Sequence, residues 1–184
     1  MIYILFGEDD FTRDETLMSM KRVSTDSNIG DVNVTTLEAT QISLDELINI
    51  CNTTPFLADK RIVVVRGLFS LLGAHTTRKT GSLKSSKSGK SQEPWINLRE
   101  HLSTIPDTTE LIFVDGHINQ QNALFSAIRE LAKVLSFPLP QKNEVNDWIQ
   151  NRATSYGVNI DKKAILTLAE TIGRNLRAID SELQ

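Results

Sequence analysis

The chain has 184 residues, 40 % hydrophobic and 23 % charged, with a formal net charge of −3. This suits one domain of about 150 residues plus a smaller appendage, and it excludes a disordered, collagenous or coiled-coil chain. No apolar run reaches the roughly 18 residues that span a membrane, and the acidic flank after the first residues is not a cleavable leader, so a soluble cytoplasmic protein is expected. A lone Cys51 forbids an internal disulfide and a cysteine-built zinc site, and His75, His101 and His117 are scattered. No metal and no cofactor is expected.

In chain order, Ile2-Tyr-Ile-Leu-Phe6 is a continuous apolar run closed by Gly7, as in a strand buried on both faces. From about Phe11 to Val23, apolar residues among charges predict a helix. Val32–Leu37 reads as a second strand. Ser43 and Glu46 form a capping box, and Leu44, Leu47, Ile48 and Cys51 follow at helical spacing, which makes Cys51 a small core residue. Arg61-Ile-Val-Val-Val65 is the clearest strand, and a basic loop is read after it.

That loop, residues 76–92, carries Arg78, Lys79, Lys84, Lys87 and Lys90 with no acid, so it holds +5 and leaves −8 for the rest. Its small polar composition predicts a flexible, solvated insertion, with phosphate contact to nucleic acid as the alternative. Trp95, Leu98 and Leu102 then mark a helix begun at Pro94. Leu111–Val114 is a fourth strand, Ile118–Ala132 a helix, and Val134–Phe137 a fifth strand.

Strands joined by helical crossovers predict an α/β domain over residues 1–137, with a mainly parallel five-stranded sheet covered by helices on both faces. After Pro138-Leu-Pro140 everything reads as helix. One stripe runs over Val145, Trp148, Ile149, Arg152, Ala153 and Tyr156, ended by Gly157. A second is capped by Asp161 and ended by Gly173, and a third has Leu176, Ile179 and Leu183. Residues 138–184 are thus a small three-helix domain whose last helix is cut within its stripe.

Ligands of such sheets bind beyond the carboxyl ends of the strands. After the first strand stand Gly7-Glu8-Asp9-Asp10-Phe11-Thr12-Arg13, with one glycine, no lysine and three carboxylates, which would repel a phosphate. After the third strand stand Arg66-Gly67, where a nucleotide hydrolase needs an acidic pair for Mg2+. Asp115 is an isolated acid. Glu8, Asp9, Asp10 and Asp115 as Mg2+ ligands are an alternative to acids that complement a helix N-terminus. The residues favour a binding module on an enzyme-like fold, with no catalytic residues assigned.

The stretch Thr53-Thr-Pro-Phe-Leu-Ala-Asp-Lys60 places Pro55, Phe56 and Leu57 together in a loop. Composition favours a plug folded onto the core over an anchor for a partner's pocket.

Four segments in order, Tyr3–Phe11, Thr54–Val65, Trp148–Ala153 and Ile172–Leu183, together resemble the delta-subunit family of bacterial DNA polymerase III. The resemblance implies a clamp-loader AAA+-type domain with a lost nucleotide site, a three-helix lid and a helical collar that this chain lacks, making it an amino-terminal fragment. It implies DNA replication as the role and a non-catalytic subunit of a DNA-directed DNA polymerase, a nucleotidyltransferase. The subunit would bind and open the sliding clamp (beta subunit) through an apolar wedge without hydrolysing ATP. Other implied partners are the gamma/tau and delta-prime subunits, with DNA contacted weakly or indirectly. By position the wedge falls on Pro55, Phe56 and Leu57 with Thr53 just before, which reverses the plug reading. The proline before the phenylalanine, and the threonine where a longer apolar side chain can stand, depart from the family pattern, and the basic insertion does not belong to it. Arg177 matches a phosphate-sensing lid arginine, for which an ion pair is expected here. The competing readings are an active P-loop-like hydrolase with an unusual loop and a DNA-binding module using 76–92.

Overall fold

Strands β1 (Ile2–Phe6), β2 (Val34–Glu38), β3 (Arg61–Arg66), β4 (Thr109–Asp115) and β5 (Lys133–Ser136) pair in parallel in the order β2-β3-β4-β1-β5. The structure is a computed structural model that describes residues 1–24, 30–73, 95 and 97–184. The basic segment 76–92 and Pro94 lie outside these residues. The intervening helices are α1 (Asp10–Ser24), α2 (Leu44–Cys51), α3 (Leu68–Gly73), α4 (Leu98–Leu102) and α5 (Ala123–Ile128), and a 3-10 turn, Gly30–Asn33, precedes β2.

Alternation along the strands divides the core between the two faces of the sheet. Ile4, Val63, Val65, Leu111 and Phe113 face α2, α3, α4 and α5, meeting Leu47, Phe69, Leu98 and Ile128. Leu5, Ile62, Val64, Ile112 and Val114 face the other way, onto Leu17 of α1. Both sets are almost wholly buried, which explains why β1, β3 and β4 read as uninterrupted apolar runs.

Several predicted boundaries change. Val32 and Asn33 belong to the 3-10 turn, so the second strand starts at Val34. The helix expected over 118–132 shrinks to α5. Asn119 turns the chain by accepting from the Gln121 amide, and Asn122 caps α5 by accepting from Leu124 and Phe125. Short polar side chains that bond nearby backbone favour turns and caps over helix interiors. Directly after β3, Leu68–Gly73 form α3, a helix in a stretch to which the sequence reading assigns no element.

The carboxyl-terminal helices α6 (Lys142–Ser155), α7 (Lys162–Ile172) and α8 (Leu176–Leu183) pack Val145, Ile149, Ile165, Leu176 and Ile179 around Phe11, a side chain from the first turn of α1. Asp161 caps α7 by accepting from the Lys163 amide, and Gly157 and Gly173, both at φ 75°, release the chain from α6 and α7. No described helix is long and apolar enough to cross a membrane.

Candidate functional site

Two regions contend for function, at opposite ends of the strands. At the carboxyl ends, β1 and β4 are neighbours with Phe6 opposite Asp115, and the Gly7 amide donates to the Gly116 carbonyl at 2.8 Å. Gly7 has φ 141°, and a Cβ there would lie 2.0 Å from the Phe137 carbonyl oxygen, so only glycine allows this approach. Arg13 Nη1 donates to the carbonyl oxygens of Gly7 at 2.6 Å and Asp115 at 3.1 Å. A phosphate-binding turn would present N–H groups in this place, whereas here a fixed cation bridges two carbonyls.

The carboxylates of this crevice have structural partners. Asp9 accepts from the Thr12 amide at 3.1 Å, as a helix cap does. Asp115 accepts from the Phe69 amide at 3.1 Å, and from the Ser70 amide at 3.0 Å and hydroxyl at 2.6 Å, and thereby caps α3 across the sheet. Burial raises the Asp115 pKa above its ordinary value, against the pull of those hydrogen bonds. Asp10 and Asp14 each lie 3.2 Å from Arg177, for which an ion pair was expected, and Arg66 stands 3.8 Å from Asp14.

Beside these pairs, Arg152 of α6 joins three helices. It donates to Asp180 of α8 through Nε and to Glu15 of α1 through Nη2 at 2.7 Å. Its guanidinium lies 5.2 Å from the ring centre of Phe11 and 5.0 Å from that of Tyr156, whose hydroxyl donates to Asp180 at 2.6 Å. An arginine in an otherwise apolar stripe was the sequence signal for this role. Arg152 and Arg177 hold the helical part against α1.

At the amino ends of the strands, the loop between α2 and β3 carries Thr53, Pro55, Phe56 and Leu57. Thr53 closes α2, its hydroxyl donating to the Asn49 carbonyl at 3.0 Å. Pro55 is half-buried, whereas Phe56 is 58 % and Leu57 72 % exposed. Leu57 takes a left-handed φ of 49°, uncommon for a non-glycine residue. The two large apolar side chains therefore stand out in solvent and do not plug the core. Cys51, at the end of α2, is wholly buried and its thiol is pushed up to about 12 by burial, as suits an inert core residue.

Asn33 was missed as part of this region. Its buried carboxamide accepts from the Phe56 amide at 2.7 Å and donates to the Phe56 carbonyl at 2.8 Å. The available signal was an asparagine inside a run read as a strand, where asparagine is depleted.

Residues 3–138 match the family model described as DNA polymerase III, delta subunit. DNA polymerase III subunit delta of Bacillus subtilis (strain 168) is 21 % identical over 184 residues, covering 100 % of this chain and 50 % of that protein. Among solved structures, the Bacillus subtilis DNA clamp loader delta protein (YqeN) aligns with a TM-score of 0.72 at 20 % identity, over 100 % of this chain and 51 % of that one. A DNA polymerase III gamma subunit-related protein of Thermotoga maritima aligns at 0.52 and 14 % identity, over 100 % of this chain and 52 % of that one. The replication initiator DnaA bound to AMPPCP and single-stranded DNA aligns at 0.56 and 12 % identity, over 99 % of this chain and 53 % of that one. The fold is AAA+-like, and the chain spans about half the length of the relatives it matches.

Proposed function

The chain belongs to the DNA polymerase III delta-subunit family, and from that premise we propose that it serves DNA replication as clamp-loader machinery, binding the sliding clamp through the α2–β3 loop. Phe56 is the central anchor of an apolar wedge, with Leu57 beside it and Thr53 and Pro55 shaping its approach. The observation that carries this reading is the exposure of Phe56 and Leu57, 58 % and 72 %, on a loop otherwise expected to be polar.

The wedge works by binding alone. It enters an apolar pocket on the clamp, and opening follows from tighter binding to the open clamp than to the closed one. Hydrolysis of ATP belongs to other subunits of the loader, such as gamma/tau, with which the full-length protein assembles together with delta-prime. The bonds of Arg13 to Gly7 and Asp115, and the helix caps made by Asp9 and Asp115, support a crevice engaged in holding the fold.

Titration against the cognate sliding clamp tests the proposal. A buried aromatic anchor contributes about 2 kcal/mol or more, and about 1.4 kcal/mol is tenfold, so Phe56→Ala is expected to weaken binding by at least tenfold. Affinity within twofold of the parent would sink the wedge.

A further inference from the structure

Between residues 54 and 59, the described hydrogen bonds that tie the α2–β3 loop to the rest of the protein are the two between Phe56 and Asn33. On one side the chain is held where the Thr53 amide donates to the Ile50 carbonyl at 3.2 Å. On the other it is held where the Arg61 amide donates to the Thr108 carbonyl at 2.8 Å. Phe56 sits between these attachments, and its own N–H and C=O are satisfied by one side chain, as a neighbouring strand would satisfy them.

A carboxamide suits this, because it offers an acceptor and a donor in one plane. Asn33 is itself 4 % exposed, at the end of the 3-10 turn that leads into β2, so burial restricts its side chain. With its backbone clamped on both sides, Phe56 directs its side chain outward, and the next residue, Leu57, turns through a φ of 49°. An aromatic side chain on an ordered loop loses less freedom on binding than one on a free loop.

From this geometry we infer that Asn33 is the positioning residue of the wedge: it makes no contact with the clamp but fixes the backbone from which Phe56 reaches it. The inference rests on the wedge reading above and adds a residue 23 positions away in sequence that controls the same surface.

The test is a double-mutant cycle measured by titration against the cognate clamp, with Asn33→Ala, Asn33→Asp, Phe56→Ala and the Asn33→Ala/Phe56→Ala pair. Asn33→Asp keeps the size but sets a carboxylate oxygen against the Phe56 carbonyl. Both Asn33 variants are expected to bind about tenfold more weakly, and Asn33→Ala is expected to cost less than twofold more once Phe56 is alanine. A general loss of stability would lower affinity in both backgrounds, so non-additivity is the signature of positioning. Hydrogen exchange at the Phe56 amide gives a second readout, protected in the parent and fast in Asn33→Ala, which removes the acceptor of that N–H. If Phe56→Ala weakens binding while both Asn33 variants bind like the parent, or if the losses are additive, this inference is overturned and the wedge stands. If Phe56→Ala itself binds like the parent, the wedge reading falls and takes the inference with it.

Discussion

Arg13, in the first turns of α1, donates a hydrogen bond of 3.1 Å to the carbonyl oxygen of Asp115, the last residue of β4. The same nitrogen reaches the Gly7 carbonyl at 2.6 Å, so one guanidinium joins the ends of two adjacent strands. A nucleotide entering this crevice would have to displace those bonds. Mg–ATP is therefore expected to leave the melting temperature of the chain unchanged within about 1 °C. A ligand at a hundredfold excess over its Kd adds about 2.7 kcal/mol of stability, so even a modest site would show in differential scanning fluorimetry. A clear upward shift would revive the hydrolase reading.

Leu57 is expected to show function opposing stability. A left-handed conformation costs a side-chain-bearing residue roughly 1–2 kcal/mol, whereas the extra chain entropy of glycine costs about 0.5–1 kcal/mol. Since Leu57 is 72 % exposed, Leu57→Gly loses little packing. Its unfolding free energy in urea should equal or exceed that of the parent while clamp affinity falls severalfold. A loss of stability above about 1 kcal/mol would mean that the loop depends on this side chain for its own packing.

Gly7→Ala should fail for a steric reason alone. A Cβ placed 2.0 Å from the Phe137 carbonyl oxygen must push the end of β5 away from the β1–α1 turn, where the Asp9 amide also donates to that carbonyl at 3.0 Å. The expected loss is about 3 kcal/mol or more, read from urea unfolding. A variant as stable as the parent would show that this turn relaxes freely.

The ion pairs of α8 predict an acid dependence. Burial opposes the charge on Asp180, but the hydrogen bonds from Arg152, Tyr156 and Gln184 prevail and hold its carboxyl below the ordinary value of 3.8. A carboxyl whose folded pKa is depressed contributes stability that is present above the unfolded value and is lost as pH falls through the folded one. The parent should accordingly lose more stability than Asp180→Asn as the solution is acidified below about pH 4. Parallel acid limbs for the two proteins would remove Asp180 from the account.

Much of this architecture was legible because it rests on local pattern. The runs Ile2–Phe6, Arg61–Val65 and Leu111–Val114 announce strands covered on both faces, since side chains on both sides of the pleat must be apolar there. The Ser43–Glu46 capping box appears as read, with the Ser43 amide donating to Glu46 at 2.7 Å and the Glu46 amide to the Ser43 hydroxyl at 3.3 Å. The exposed apolar pair Phe56–Leu57 could be named from composition, but whether it plugged the core or faced solvent could not.

What only the tertiary structure decided depends on partners far apart in the chain. Helix α3 is too short to show a helical period, and its amides are capped by Asp115, 45 or more residues away. Arg152 looked like one member of a helical stripe until the fold set it between Asp180 and Glu15. The sequence by itself determined the strands and the longer helices, because hydrophobic periodicity and caps act within a few residues. The fold decided that Asn33 meets Phe56 and that Arg13 closes the strand ends, because side-chain hydrogen bonds need a geometry that only the assembled sheet supplies.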